Sequence, residues 1–168
     1  MTEIGEARFR WALGHLPTGV TVITSTGPLG QPVGMACNSF TSVSLDPPLV
    51  LFCPAKSSST WPLIRDRGMF CVNILGSGHE WMSRQFSAPR ADRFSGVRWS
   101  GSDSGPELGD AAARISCAVT AEHDAGDHII VVARVVGLAV APGAAPLVFH
   151  RGRYGSFTEI PESAEVTG

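Results

Sequence analysis

The chain has 168 residues, 43% of them hydrophobic and 17% charged, which suits one globular domain and is too short for two ordinary ones. Its 19 glycines and 12 prolines imply many turns and favour a β-rich architecture over a helical bundle. With 13 basic and 15 acidic residues the formal net charge is −2, and neither sign gathers into a block, which argues against a nucleic-acid partner.

From the N-terminus, Ile4, Ala7 and Trp11 with Phe9, Leu13 and Leu16 recur at spacings of three and four, predicting an amphipathic helix over 3–16 closed by Pro17. Charges run through this segment, so it reads as neither a signal peptide nor a membrane span. Gly19 to Ser25 alternates β-branched residues with period two and reads as a strand, and Gly27-Pro28-Leu29-Gly30 turns it back. Val33 to Val43 returns as one or two strands broken near Asn38, giving an N-terminal hairpin. Leu45-Asp46-Pro47-Pro48 interrupts the chain, and Leu49 to Cys53 then reads as a fully buried strand.

Thr60 to Arg67 fits a short helix, Met69 to Leu75 a strand, and Gly78 to Phe86 a second short helix. Residues 88–110 read mostly as loop. Ile115 to Glu122 and His128 to Ala141, joined by the turn Asp124 to Asp127, form the principal hairpin, and Leu147 to His150 is the last strand. No internal repeat interrupts this pattern. One domain is expected over 1–160, with polar residues 161–168 as a loose tail.

Cys37, Cys53, Cys71 and Cys117 lie far apart in apolar stretches with no CxxC pair, and five histidines form no HxxxH helix, so buried reduced thiols, no metal and a cytoplasmic location are expected. The common catalytic signatures fail. Asp103 stands where the Gly101–Gly105 segment would need a serine nucleophile, and Trp81 stands where a dinucleotide fingerprint beginning at Gly76 would need its third glycine. The single lysine, Lys56, follows Pro54 and Ala55 and not a glycine-rich phosphate loop.

That lysine opens Lys56-Ser57-Ser58-Ser59-Thr60, between a strand and a helix. Consecutive hydroxyls and amides with a flanking ammonium suit a phosphate, whereas Ser59 or Thr60 acting only as a helix cap is the plainer alternative. The run Val33 to Pro48 places Gly34, Ala36, Asn38 and Ser39 where backbone can approach a flat ligand, or else marks an edge strand with a bulge.

Six ordered segments carry a resemblance: Thr18 to Thr24, Gly34 to Val50 with its Ser42-Val-Ser-Leu-Asp-Pro-Pro-Leu-Val50 run, Lys56 to Thr60, Phe70 to Leu75, Gly126-Asp127-His128 and Arg151 to Tyr154. Over nearly its whole length the chain resembles the short-chain flavin reductases, the reductase components of two-component flavin-dependent monooxygenases. The resemblance implies a mainly β fold, an antiparallel split β-barrel of the Greek-key, FMN-binding type with a few short helices, working as a homodimer. It implies FMN or FAD near the subunit interface, with NADH, or alternatively NADPH, entering over it.

Carried onto this chain, Val33, Gly34, Met35, Ala36, Cys37, Asn38, Ser39 and Phe40 would line the isoalloxazine. Pro54 and Ala55 would lead into Lys56, Ser57, Ser58, Ser59 and Thr60, which would hold the ribityl phosphate. His128 would act catalytically beside the nicotinamide, its alternative being a turn histidine next to Asp127, and Arg151, Gly152, Arg153 and Tyr154 would close over the same cofactor. Cys37 reads as packing. The implied activity is hydride transfer from NAD(P)H to flavin, with reduced flavin passing to a separate monooxygenase; hydride transfer needs no nucleophile, in keeping with the failed signatures. A non-catalytic flavin carrier or sensor of the same fold is the alternative. Arg90 and Arg93 read as solvated, or as partners for a pyrophosphate.

Overall fold

The computed structural model describes residues 4–89 and 92–160, so Arg90 and the expected tail at 161–168 lie outside the described residues. In chain order the elements are α1 (Glu6–Leu13), β1 (Thr18–Gly19), β2 (Thr21–Thr26), β3 (Pro32–Cys37), β4 (Thr41–Leu45), β5 (Pro48–Phe52), α2 (Trp61–Arg67) and β6 (Met69–Ile74). There follow a 3-10 turn (Ser77–His79), α3 (Glu80–Ser87), β7 (Trp99–Ser100), β8 (Glu107–Leu108), β9 (Ala113–Ala125), β10 (His128–Val140), β11 (Leu147–His150) and β12 (Arg153–Ser156).

Seven strands form one antiparallel sheet in the order β3-β2-β6-β9-β10-β5-β4. Laid flat, its outer strands would stand about 29 Å apart at a spacing of about 4.8 Å per strand. Yet β3 and β4 are consecutive, and the Cys37-to-Thr41 connection spans at most about 15 Å. The sheet therefore has to curl until its two edges nearly meet, leaving a barrel open along one seam. A second sheet, β1-β11-β12, and the short β7-β8 hairpin complete the β structure.

β2 is buried on both faces because each face meets a different helix layer. Ile23 joins Phe52, Phe70, Val72 and Val131, with Trp61 and Ile64 of α2 closing that cluster. Val20 and Val22 join Leu75, Leu108 and Leu147 under Met82 and Phe86 of α3. Between strands, the buried Asn73 donates to Val22 O and Thr24 Oγ1 and accepts from Leu108 N at 2.8 Å, pinning the 105–108 segment to the barrel.

Several expectations are corrected. The first helix is shorter than 3–16, ends at Gly14 before Pro17, and buries none of its residues within this chain. β5 is not fully buried: Val50 and Phe52 enter the core while Leu49 and Leu51 are half covered, because the strand lies one place from the sheet edge. Pro48 opens this strand opposite Leu45. β9 runs from Ala113 to Ala125, longer than read, and Arg153 to Ser156 is a further strand paired with β11.

Candidate active site

The seam between β3 and β4 holds a groove of about 440 Å³. One wall is the end of β3 and the crossing residues, Met35 to Ser39, and the opposite wall is Cys53 to Ala55 with Ser57 to Thr60. Ser39 spans the seam: its Oγ accepts from Cys53 N at 2.9 Å and lies 3.2 Å from Cys37 Sγ. Asn38 and Ser39 thus sit where two sheet edges meet, which explains why the strand pattern breaks there.

His128 reaches the same groove through backbone pairing. Beyond β5 the chain stays against β10, with Ile129 N donating to Pro54 O at 3.0 Å and Lys56 N to Asp127 O at 2.9 Å. The hydroxyl loop and the first residue of β10 are thereby locked together although about 70 residues separate them. Gly126, at φ +66°, supplies the left-handed position of the tight hairpin. His128 Nδ1 donates to Asp127 Oδ1 at 2.7 Å, Nε2 has no partner among the described residues, and the ring in turn holds the Asp127 carboxyl below its ordinary range.

In the loop, Ser58 Oγ accepts from Thr60 N and Trp61 N, so Ser58 is the capping hydroxyl, in place of Ser59 or Thr60. The Ser57 and Ser59 amides and hydroxyls make no hydrogen bond among the described residues. α2 has seven residues and is too short for its dipole to carry the site; the free loop groups are what suit an anion. Lys56 is drawn away, its Nζ 3.0 Å from Asp124 Oδ1, and it does not line the groove.

The sequence-expected residues divide. Met35 to Ser39, Pro54, Ala55, Ser57 to Thr60 and His128 come together. Val33 is in the core and, with Gly34, borders an adjacent groove of about 380 Å³. Phe40 packs against the barrel core. Gly34 is small for a packing reason: a Cβ there would stand 2.8 Å from the Phe86 ring. Tyr154 lines a neighbouring cavity of about 180 Å³ shared with Ala36, Cys37 and Asn38, its hydroxyl 2.9 Å from Ser83 Oγ. Arg151 and Arg153, on either side of Gly152 in the β11–β12 turn, line a third groove of about 730 Å³ that Tyr154 also borders.

Sequence reasoning missed Cys53, Phe86 and Ser87 as lining residues and left Arg93 either solvated or a partner for a pyrophosphate. Arg93 is half-buried and donates from Nη1 to Gly34 O at 2.8 Å and Thr60 Oγ1 at 2.9 Å, and from Nε to Ala88 O at 3.1 Å. Nothing in its polar local sequence marks it; its acceptors come from three separate segments. Burial pushes the Cys37 thiol above its ordinary value, consistent with packing. The groove fits a flavin: β3 and Phe86 offer an apolar wall, and free hydroxyls and amides lie at the Ser57–Thr60 end. Among the described residues no group of histidines, cysteines and carboxylates could hold a metal ion, and no helix is long and apolar enough to cross a membrane.

Comparisons with known proteins agree with this geometry. A flavin-dependent monooxygenase reductase subunit, HsaB, of Rhodococcus jostii is 43% identical over 152 residues, covering 90% of this chain and 77% of that protein. A flavin reductase (NADH) of Kitasatospora aureofaciens is 42% identical over 161 residues, covering 92% and 84%. The crystal structure of a nitrilotriacetate monooxygenase component B homologue from Mycobacterium thermoresistibile superposes with a TM-score of 0.89 at 42% identity, covering 96% of this chain and 93% of that one. Residues 13–158 match the flavin reductase like domain, and with a split barrel whose seam groove suits a flavin phosphate, the chain belongs to that family.

Proposed function

We propose that this chain is an NADH-dependent flavin reductase that supplies reduced flavin to a flavin-dependent monooxygenase. The observation that carries the reading is the seam groove, in which the Ser57–Thr60 loop and His128 are fastened side by side by the Lys56–Asp127 and Ile129–Pro54 hydrogen bonds. The names of the relatives support NADH as donor and a monooxygenase as the consumer. A bound flavin supplies a two-electron acceptor for the hydride of a reduced nicotinamide.

The protein's part is to bind and orient. Ser57 and Ser59 donate to the flavin phosphate, and Met35 to Ser39 form the wall against which the ring lies. His128 offers Nε2 to the nicotinamide carboxamide, its ring fixed by Asp127. Tyr154, with Arg151 and Arg153 beyond it, bounds the side from which the second cofactor enters. One domain over 1–160 carries the whole site.

The working unit is a homodimer in the cytoplasm. Supporting the dimer, α1 presents Phe9, Trp11 and Leu13, flanked by Ile4 and Leu16, and the outer half of β10 presents Val136, Leu138 and Val140, all exposed in one chain. The deciding experiment follows NADH and NADPH oxidation with FMN, with FAD and without flavin. Oxidation that requires added flavin is the expected result; flavin binding with no oxidation would assign a carrier or sensor.

A further inference from the structure

We propose that Arg93, and not Lys56, supplies the positive charge that holds the flavin phosphate, an inference that rests on the flavin reading above. The two cations near the loop are in opposite states. Lys56 is paired with the Asp124 carboxylate and lies outside the groove. Arg93 lines the groove and has no carboxylate partner among the described residues.

A guanidinium has five N–H donors. Here Nε and both Nη1 protons go to neutral acceptors, Ala88 O, Gly34 O and Thr60 Oγ1, which fix the plane of the group without neutralising it. Both Nη2 protons stay unengaged by any described residue, a fork that suits a phosphate oxygen pair. Because Thr60 Oγ1 already accepts from Arg93, its own proton is left to donate to a ligand in the groove that both residues line. Arg93, Thr60, Ser57 and Ser59 then form one anion site whose charge is set in place before the ligand arrives, which lowers the ordering cost of binding.

The test compares FMN with riboflavin, which lacks only the phosphate, by equilibrium fluorescence titration. In the wild-type chain FMN is expected to bind more tightly than riboflavin. Arg93→Gln is expected to cut the preference for FMN by about tenfold or more while riboflavin affinity holds. Lys56→Gln is expected to keep the preference. Equal weakening of both ligands by Arg93→Gln would make Arg93 a structural brace for Gly34 and Thr60, and an unchanged preference would return the charge to Lys56; either result overturns the proposal.

A second measurement needs no variant and is immune to misfolding. Phenylglyoxal labelling of the wild-type chain, read by peptide mass, should show Arg93 protected by FMN and left reactive by riboflavin. Equal protection by the two, or by neither, counts against the assignment. Flavin-dependent NADH oxidation with a failed Arg93 test removes this inference alone, whereas absence of both flavin binding and oxidation removes the function reading with it.

Discussion

Three adjacent serines do different work. Ser57 and Ser59 have free hydroxyls at the groove, so Ser57→Ala and Ser59→Ala should each weaken FMN binding by about 1.5–3 kcal/mol, the usual value of a hydrogen bond to a charged group, with little change in melting temperature. Ser58→Ala should do the reverse, costing about 1 kcal/mol of stability through the lost cap. Flavin titration and thermal melting of the three variants separate these outcomes. His128→Ala should slow the NADH step while flavin affinity stays near wild type, and Asp127→Ala should do the same more weakly, since it frees the ring without removing it. Stopped-flow reduction beside flavin titration reads both.

The thiols make a pH-dependent prediction. Burial pushes Cys71 up to about 11 and Cys117 up to about 12, so both remain protonated at pH 8 and lack the thiolate that reacts. A disulfide reagent at that pH should label them only after denaturation. Because the folded values are raised above the ordinary 9.0, the stabilisation from keeping them neutral is complete below pH 9 and is lost as pH climbs toward 11 and 12.

Among the elements, β3 and α3 meet at Gly34 and Phe86. Gly34→Ala would press a methyl against the Phe86 ring at 2.8 Å and against Ile23 O at 3.2 Å, costing about 1–3 kcal/mol by overpacking, at roughly 2–4 °C of melting temperature per kcal/mol for a chain of this size. A calorimetric melt checks it, and a compensating Phe86→Leu should recover part of the loss. This glycine was read as room for a ligand; the space is already filled by the protein's own helix. Most strands were legible because β-branched alternation and Gly/Pro turns are local signals. The amphipathic reading of α1 is half right: the period is present, yet its apolar side chains stay exposed, with Trp11 packed edge-on against His15 at 4.7 Å.

At the scale of the whole molecule those unpartnered surfaces argue for a second copy. Light scattering behind gel filtration should give twice 17.7 kDa, and Trp11→Glu or Leu138→Glu should lower that mass toward the single chain. A monomer in the wild type at micromolar concentration would remove the dimer.

The sequence by itself determined the strand-rich class, the break at Asn38 and Ser39, the hydroxyl loop and the Gly126-Asp127-His128 turn, since each is written in neighbouring residues. It also carried the family resemblance, which rests on ordered runs. Only the tertiary structure decided that Ser58 caps while its neighbours stay free, that Lys56 turns away to Asp124, and that Arg93 is drawn in to Thr60, 33 residues earlier in the chain. The last two outcomes depend on which segments meet when a seven-stranded sheet curls onto itself. Closure brings together residues whose separation in sequence carries no local signal.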